Sequence, residues 1–233
     1  MGYNKIFHRQ RPAIGLPHRY VMTEESIKRC IICGVVVVMS MFTGTNCLYA
    51  QTASGTINGH EYVDLGLSVK WATCNVGASS PKEYGDYYAW GETSTKSSYD
   101  EDNCETWGKS ISDIKGTSRD VARVKWGGSW RLPTLDEFKE LLDEDNCIWK
   151  WTTCNGVNGC CVLSKKNGNS IFLPAVGFIS HGASYGLVSQ TGNYWSSTID
   201  EDGLENAYSM YYFEGNPGYW LWNFDATGSL FVL

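Results

Sequence analysis

Asn-Gly steps at residues 58, 155, 158 and 167 constrain this chain more than any other feature. Both central residues of a type I′ turn need positive φ, which Asn-Gly adopts readily, so each step predicts a tight reversal. The segments between them are short. Ile148 to Thr153 places Trp149 and Trp151 on one strand face, and Ser170 to Leu173 is another short apolar run. Only two stretches read as helical. Thr134-Leu135-Asp136-Glu137 is a capping box, in which the Thr side chain accepts from the Glu amide and the Glu side chain reaches back. Leu135, Phe138, Leu141 and Leu142 then share a face, which predicts a helix to about Asp143. A weaker helical pattern lies near Ser118 to Val124. One or two helices beside many short antiparallel strands make an α+β arrangement.

Charge and hydropathy divide the chain near residue 50. Residues 1–50 carry six Lys/Arg and two acids, which leaves 13 Lys/Arg and 23 acids in residues 51–233, a net charge of 13 − 23 = −10. An acidic body repels phosphate backbones, so nucleic acid is not expected as a partner. Cys30 to Phe42 is apolar except for Ser40, follows the charged stretch opened by Met22, and precedes small and polar residues. That order predicts a secretory signal over residues 22–50, cleaved between Ala50 and Gln51. Residues 1–21 then read as an upstream extension, 51–57 as a short linker and 58–233 as one domain. The apolar run is shorter than the roughly 20 residues of a spanning helix. An uncleaved anchor extending to Tyr49 is the alternative, and it would be the chain's only attachment to a membrane.

Six cysteines lie in the body: Cys74, Cys104, Cys147, Cys154, Cys160 and Cys161. An even number in an exported domain allows disulfides, and Cys154 joined to Cys160 or Cys161 across the 155–159 turn is the best local candidate. Buried thiols are the equal alternative. The spacings match no zinc site, and no cofactor is expected. His60 and His181 stand alone, with no Gly-x-Ser-x-Gly and no metal-binding His pair, so no catalytic residue is assigned. Acidic triplets at 100–102, 143–145 and 200–202 read as solvated loops, and the chain is expected to need no calcium.

Aromatic residues dominate what remains. All ten Trp and eleven of the fourteen Tyr follow residue 51, so most must form the core. Trp71, Trp90, Trp126, Trp130 and Trp195 alternate with polar residues, as inward-facing strand positions do. Tyr208, Tyr212, Tyr219, Trp220 and Trp222 are more than one sheet face can bury. Exposed Tyr and Trp give large contact area at low entropic cost, which suits sugar stacking and protein recognition. These five are the candidate ligand-binding residues. Asn223 and Asp225 join them, because a two-residue spacing puts both on one side of a strand.

Four ordered motifs carry a resemblance. Tyr62-Val-Asp-Leu-Gly-Leu-Ser-Val-Lys-Trp-Ala-Thr-Cys-Asn-Val-Gly-Ala78, Tyr84-Gly-Asp-Tyr-Tyr-Ala-Trp-Gly-Glu-Thr93, Val124-Lys-Trp-Gly-Gly-Ser-Trp-Arg-Leu-Pro-Thr134 and Asn193-Tyr-Trp-Ser-Ser-Thr198 resemble the Fibrobacter succinogenes major paralogous (FISUMP) domain. This family is common in exported proteins of gut Bacteroidetes, and the resemblance spans about residues 58–233. It implies a C-type-lectin-like fold, with two helices flanking small antiparallel sheets and ligand contacts on the C-terminal strands and loops. The Trp-Arg-Leu-Pro-Thr segment itself reads as scaffold: Pro133 and Thr134 start the helix, and Arg131 is expected to anchor a buried carboxylate or backbone carbonyls. Related formylglycine-generating oxidases use a Cys pair late in the domain, whereas no Cys follows Cys161 here. The expectation is a noncatalytic, extracytoplasmic recognition domain that meets a protein or glycan at the bacterial surface. A structural or assembly module of that surface is the alternative.

Overall fold

The computed structural model describes residues 51–109, 111–180, 184–200, 206–214, 220–225 and 229–230, with the backbone alone at 180, 184–185, 220–225 and 229–230. Strands β1 (Gly55–Ile57), β2 (His60–Val63) and β3 (Trp71–Ala72) form the first antiparallel sheet. Asn58 and Gly59, at φ of 48° and 84°, make the β1–β2 reversal that Asn-Gly predicts. Residues 51–57 are therefore part of the fold and not the linker expected from sequence. Ser54 N–H donates to the Tyr62 carbonyl at 2.7 Å. The Gln51 amide donates to the Thr73 carbonyl at 2.8 Å and accepts from Phe172 N–H at 3.0 Å, joining this sheet to a distant strand.

Strand β4 (Tyr88–Ala89) leads through a short 3₁₀ turn to helices α1 (Val121–Trp126) and α2 (Leu135–Leu142). Helix α1 begins three residues later than the sequence pattern places it, because Asp120 caps it and accepts from Arg123 N–H at 3.1 Å. The same carboxylate accepts from Leu132 N–H at 3.0 and 3.1 Å, so it also fixes the connection to α2. Helix α2 matches the capping-box expectation at both ends, with Thr134 as N-cap and Asp143 as C-cap.

Strands β5 (Cys147–Cys154), β6 (Val157–Ser164) and β7 (Ser170–Pro174) form an antiparallel meander. Asn155-Gly156 makes its first turn, with φ of 49° and 86°. Asn158-Gly159, expected as another turn, instead continues β6, with Asn158 opposite Thr153. The hairpin has already closed at 155–156. Gly159 is needed for a different reason, since a Cβ there would lie 2.2 Å from the Leu173 carbonyl oxygen.

Strands β8 (Phe178–Ser180) and β9 (Ser184–Gly186) precede a second meander of β10 (Thr191–Ile199), β11 (Asn206–Phe213) and β12 (Trp220–Asp225). Strand β13 (Ser229–Leu230) inserts between β4 and β8, giving a sheet ordered β4-β13-β8-β9. Two α-helices and several small antiparallel sheets among the described residues make the fold α+β. Among those residues no helix is long and apolar enough to cross a membrane.

Two apolar cores flank the second meander. One gathers Phe138 and Leu141 of α2 with Val162, Ile171, Leu173 and Tyr194. The other gathers Trp90, Trp126, Trp130 and Trp195 around α1. Tyr194 and Trp195 are adjacent in β10 and point oppositely, one into each core. The strand is thus buried on both faces, and this double burial absorbs most of the aromatic content.

Candidate recognition surface on the C-terminal sheet

Alternation along β11 sorts its aromatics. Tyr212 is 0 % exposed, and its hydroxyl donates to the Leu173 and Pro174 carbonyls at 2.7 and 3.0 Å. Its ring meets Trp149, Trp151 and Tyr194 at centroid distances of 5.8, 6.3 and 6.2 Å. Tyr212 is therefore core and is withdrawn from the ligand-binding candidates. The sequence argument counted Tyr212 among the surplus aromatics, whereas the structure turns it to the buried side of β11 and leaves Tyr211 and Phe213 half-buried on the other. Tyr208 is half-buried, and its hydroxyl donates to Asp200 at 3.2 Å.

Tyr211 and Phe213, of the opposite parity to Tyr212, are half-buried. Their ring centroids lie 5.8 Å apart. Together with Leu187, Gln190, Thr191 and Glu214 they line a cavity of about 430 Å³. Leu187 is 44 % exposed and holds φ at 53°, a left-handed conformation that is uncommon for a branched side chain. The loop enforces it. Gln190 and Thr191 N–H both donate to the Leu187 carbonyl at 3.0 Å, Ser189 N–H donates to the Ala175 carbonyl at 2.8 Å, and Glu214 N–H donates to the Gln190 carbonyl at 2.9 Å. The cavity thus has a bonded rim and an apolar wall. Burial pushes the Tyr211 phenol above its ordinary pKa, so the ring stays neutral over the physiological range.

Tyr219 lies outside the described residues, as does His181. The β12 backbone sets Trp220 opposite Tyr211, Trp222 opposite Ser209, Asn223 opposite Tyr208 and Asp225 opposite Asn206. The side chains of these four lie outside the described residues. Tyr211 and Phe213 escaped the sequence reading. The available signal was their position at the end of an apolar run, immediately before the polar Glu214-Gly-Asn-Pro turn sequence.

The cysteine candidates resolve through register. Cys154 pairs with Val157, Cys160 with Trp151 and Cys161 with Lys150. Cys160 and Cys161 thus lie three and four rungs from Cys154, about 10 and 13 Å along the strands, beyond the Cα separation of about 7 Å that a disulfide tolerates. The register therefore allows no bridge from Cys154 to Cys160 or Cys161. Burial pushes the Cys147 thiol up to about 11 and raises Cys160 further, so neither ionises readily into a nucleophile. His60 stacks on Trp126 at 4.5 Å. Arg131 does what its motif implies, gripping Glu137 through both terminal nitrogens at 2.7 and 2.5 Å and donating to the Leu132 carbonyl at 3.0 Å. Among the described residues no cluster of three or more His, Cys, Asp or Glu is arranged to hold a metal.

The chain matches no known family model, no curated protein and no solved structure.

Proposed function

We propose that residues 51–233 form a noncatalytic recognition domain of FISUMP type, with a C-type-lectin-like arrangement, exported to the bacterial surface. The observation that carries this is the cavity of Tyr211, Phe213 and Leu187, an apolar, partly exposed wall beside the last meander. Aromatic rings presented on a bonded scaffold bind at low entropic cost, because two χ angles per side chain are already restricted. The α+β architecture, with its two helices, is compatible with the lectin-like arrangement. Protonated buried thiols at Cys147 and Cys160 favour binding over thiol chemistry. The ligand is a glycan or protein of the cell surface, with no nucleic acid and no cofactor.

The test is a glycan array and a surface-protein pull-down with the full chain. Saturable binding that Tyr211→Ala or Phe213→Ala abolishes, while the unfolding midpoint moves little, supports recognition. Stable self-assembly without any ligand, broken by the same variants, would instead identify a structural module.

A further inference from the structure

The four Asn-Gly steps share one chemistry but meet different surroundings. In such a step the glycine backbone nitrogen can attack the asparagine side-chain carbonyl carbon, because no Cβ shields it. Folding decides which of the four can react. The reaction needs a side chain free to swing, a glycine nitrogen not committed to a hydrogen bond, and room for the reacting atoms to close to about 3–3.5 Å.

Three of the steps are held. Asn58 donates its side-chain amide to the Trp126 carbonyl, and a Cβ on Gly127 or Gly128 would come within 3.1 or 3.2 Å of the Asn58 side chain. Asn158 is half-buried within β6; its side chain donates to the Ser189 carbonyl at 3.2 Å and accepts from the Thr153 hydroxyl at 2.9 Å, and Gly159 after it is buried against the next strand. Asn167 donates to the Asp64 carbonyl at 2.9 Å and accepts from Asn169 N–H at 3.0 Å, while the nitrogen of Gly168 itself donates to the Ser164 carbonyl at 3.0 Å.

Asn155-Gly156 is the exception. Both residues are exposed at the tip of the β5–β6 hairpin, and a Cβ on Gly156 would meet nothing within 4 Å. Hydrogen bonding among the described residues engages neither the Asn155 side chain nor the Gly156 nitrogen. Behind the turn Cys154 pairs with Val157, and the next rung is closed by the side chains of Thr153 and Asn158, so the turn can open locally without the strands parting.

We infer that Asn155 is a site of spontaneous modification, converting in the folded protein to isoaspartate and aspartate through a cyclic imide. The Gly156 nitrogen gives its proton to water or hydroxide and bonds to Cγ of Asn155. The Cγ–Nδ2 bond breaks, its electron pair stays on nitrogen, and Nδ2 takes up a proton and leaves as ammonia. Water, the only co-reactant, then opens the ring. Attack at Cγ breaks the new bond and leaves aspartate, whereas attack at the backbone carbonyl carbon breaks the original peptide bond and leaves isoaspartate, with the chain running through the side chain. Either product replaces a neutral amide by a carboxylate, which adds a negative charge to the hairpin tip.

The test incubates the full chain at mildly alkaline pH, once folded and once in denaturant. Peptide mapping with electron-transfer fragmentation reads a gain of about 1 Da at each asparagine and separates isoaspartate from aspartate. In the folded chain Asn155 is expected to convert about tenfold faster than Asn58, Asn158 or Asn167, a difference in barrier that the hydrogen bonds holding the other three can supply. In denaturant the four rates should converge, because each asparagine precedes a glycine. Asn155→Gln should remove the early product and leave the slow ones; should that variant not fold, the fragment ions of the unsubstituted chain still assign the site. Three outcomes overturn the inference: a folded-state rate at Asn155 no higher than at another of these steps, an equal lead for Asn155 in denaturant, or an early product that persists in Asn155→Gln.

Discussion

Tyr211 and Tyr212 are sequence neighbours with opposite roles, and a strand's period of two is the reason. The ring of Tyr212 lies over Gly192, its register partner, where an added Cβ would sit 2.0 Å from Cζ. Gly192→Ala must therefore push that ring against Trp149 and Trp151. A loss of about 1–3 kcal/mol is expected, the range for overpacking a close-packed core, measured by urea unfolding. Tyr212→Phe keeps the ring but removes the hydroxyl donor to the Leu173 carbonyl, while the Pro174 carbonyl keeps the Tyr194 hydroxyl at 2.8 Å, so the loss should be about 1 kcal/mol. Neither variant should weaken binding at the Tyr211 cavity under conditions where the protein stays folded.

Helix α2 joins local and distant interactions at its first turn. Glu137 closes the capping box on Thr134, takes the Arg131 fork and lines a cavity beside the first sheet. Burial acts to raise its pKa, but Arg131, the Thr134 N–H and Lys115 together outweigh burial and hold it below the ordinary glutamate value. A depressed folded pKa means that the ionised form stabilises the helix. That contribution is complete above the ordinary glutamate range and is lost as pH falls through the lower, folded value. Asp120 titrates with the opposite sign, because burial raises its pKa and protonation relieves that penalty. Comparison with Glu137→Gln isolates the Glu137 effect. The variant should be about 2 kcal/mol less stable than wild type at neutral pH, and the gap should close as acid protonates Glu137. A gap that stays constant to the acid limit would show that charge plays no part in the cap.

Among the described residues, apolar packing around β10 and β11 holds the fold together. Cys147 and Cys160, buried and with their thiol pKa raised by that burial, should resist alkylation until the chain unfolds; labelling of the folded chain at the rate of an exposed thiol would contradict their place in the core. Features that depend on nearest neighbours were legible in the sequence. The turns at Asn58 and Asn155, the capping box at Thr134 and the span of α2 follow from local φ preferences and hydrogen bonds within a few residues. The five motif tryptophans are core as expected, but only Trp71 and Trp195 sit in strands; Trp126 ends α1 and Trp90 and Trp130 lie between elements, so tertiary packing and not strand alternation buries those three. Features that depend on what covers a surface were not legible. No local signal tells that β10 is packed on both faces, that Gly159 meets a carbonyl of the next strand, or that the buried Trp71 indole N–H lacks an acceptor. Periodicity in the sequence fixes which residues share a face, whereas long-range packing of one element against another decides whether that face meets a core, water or a ligand.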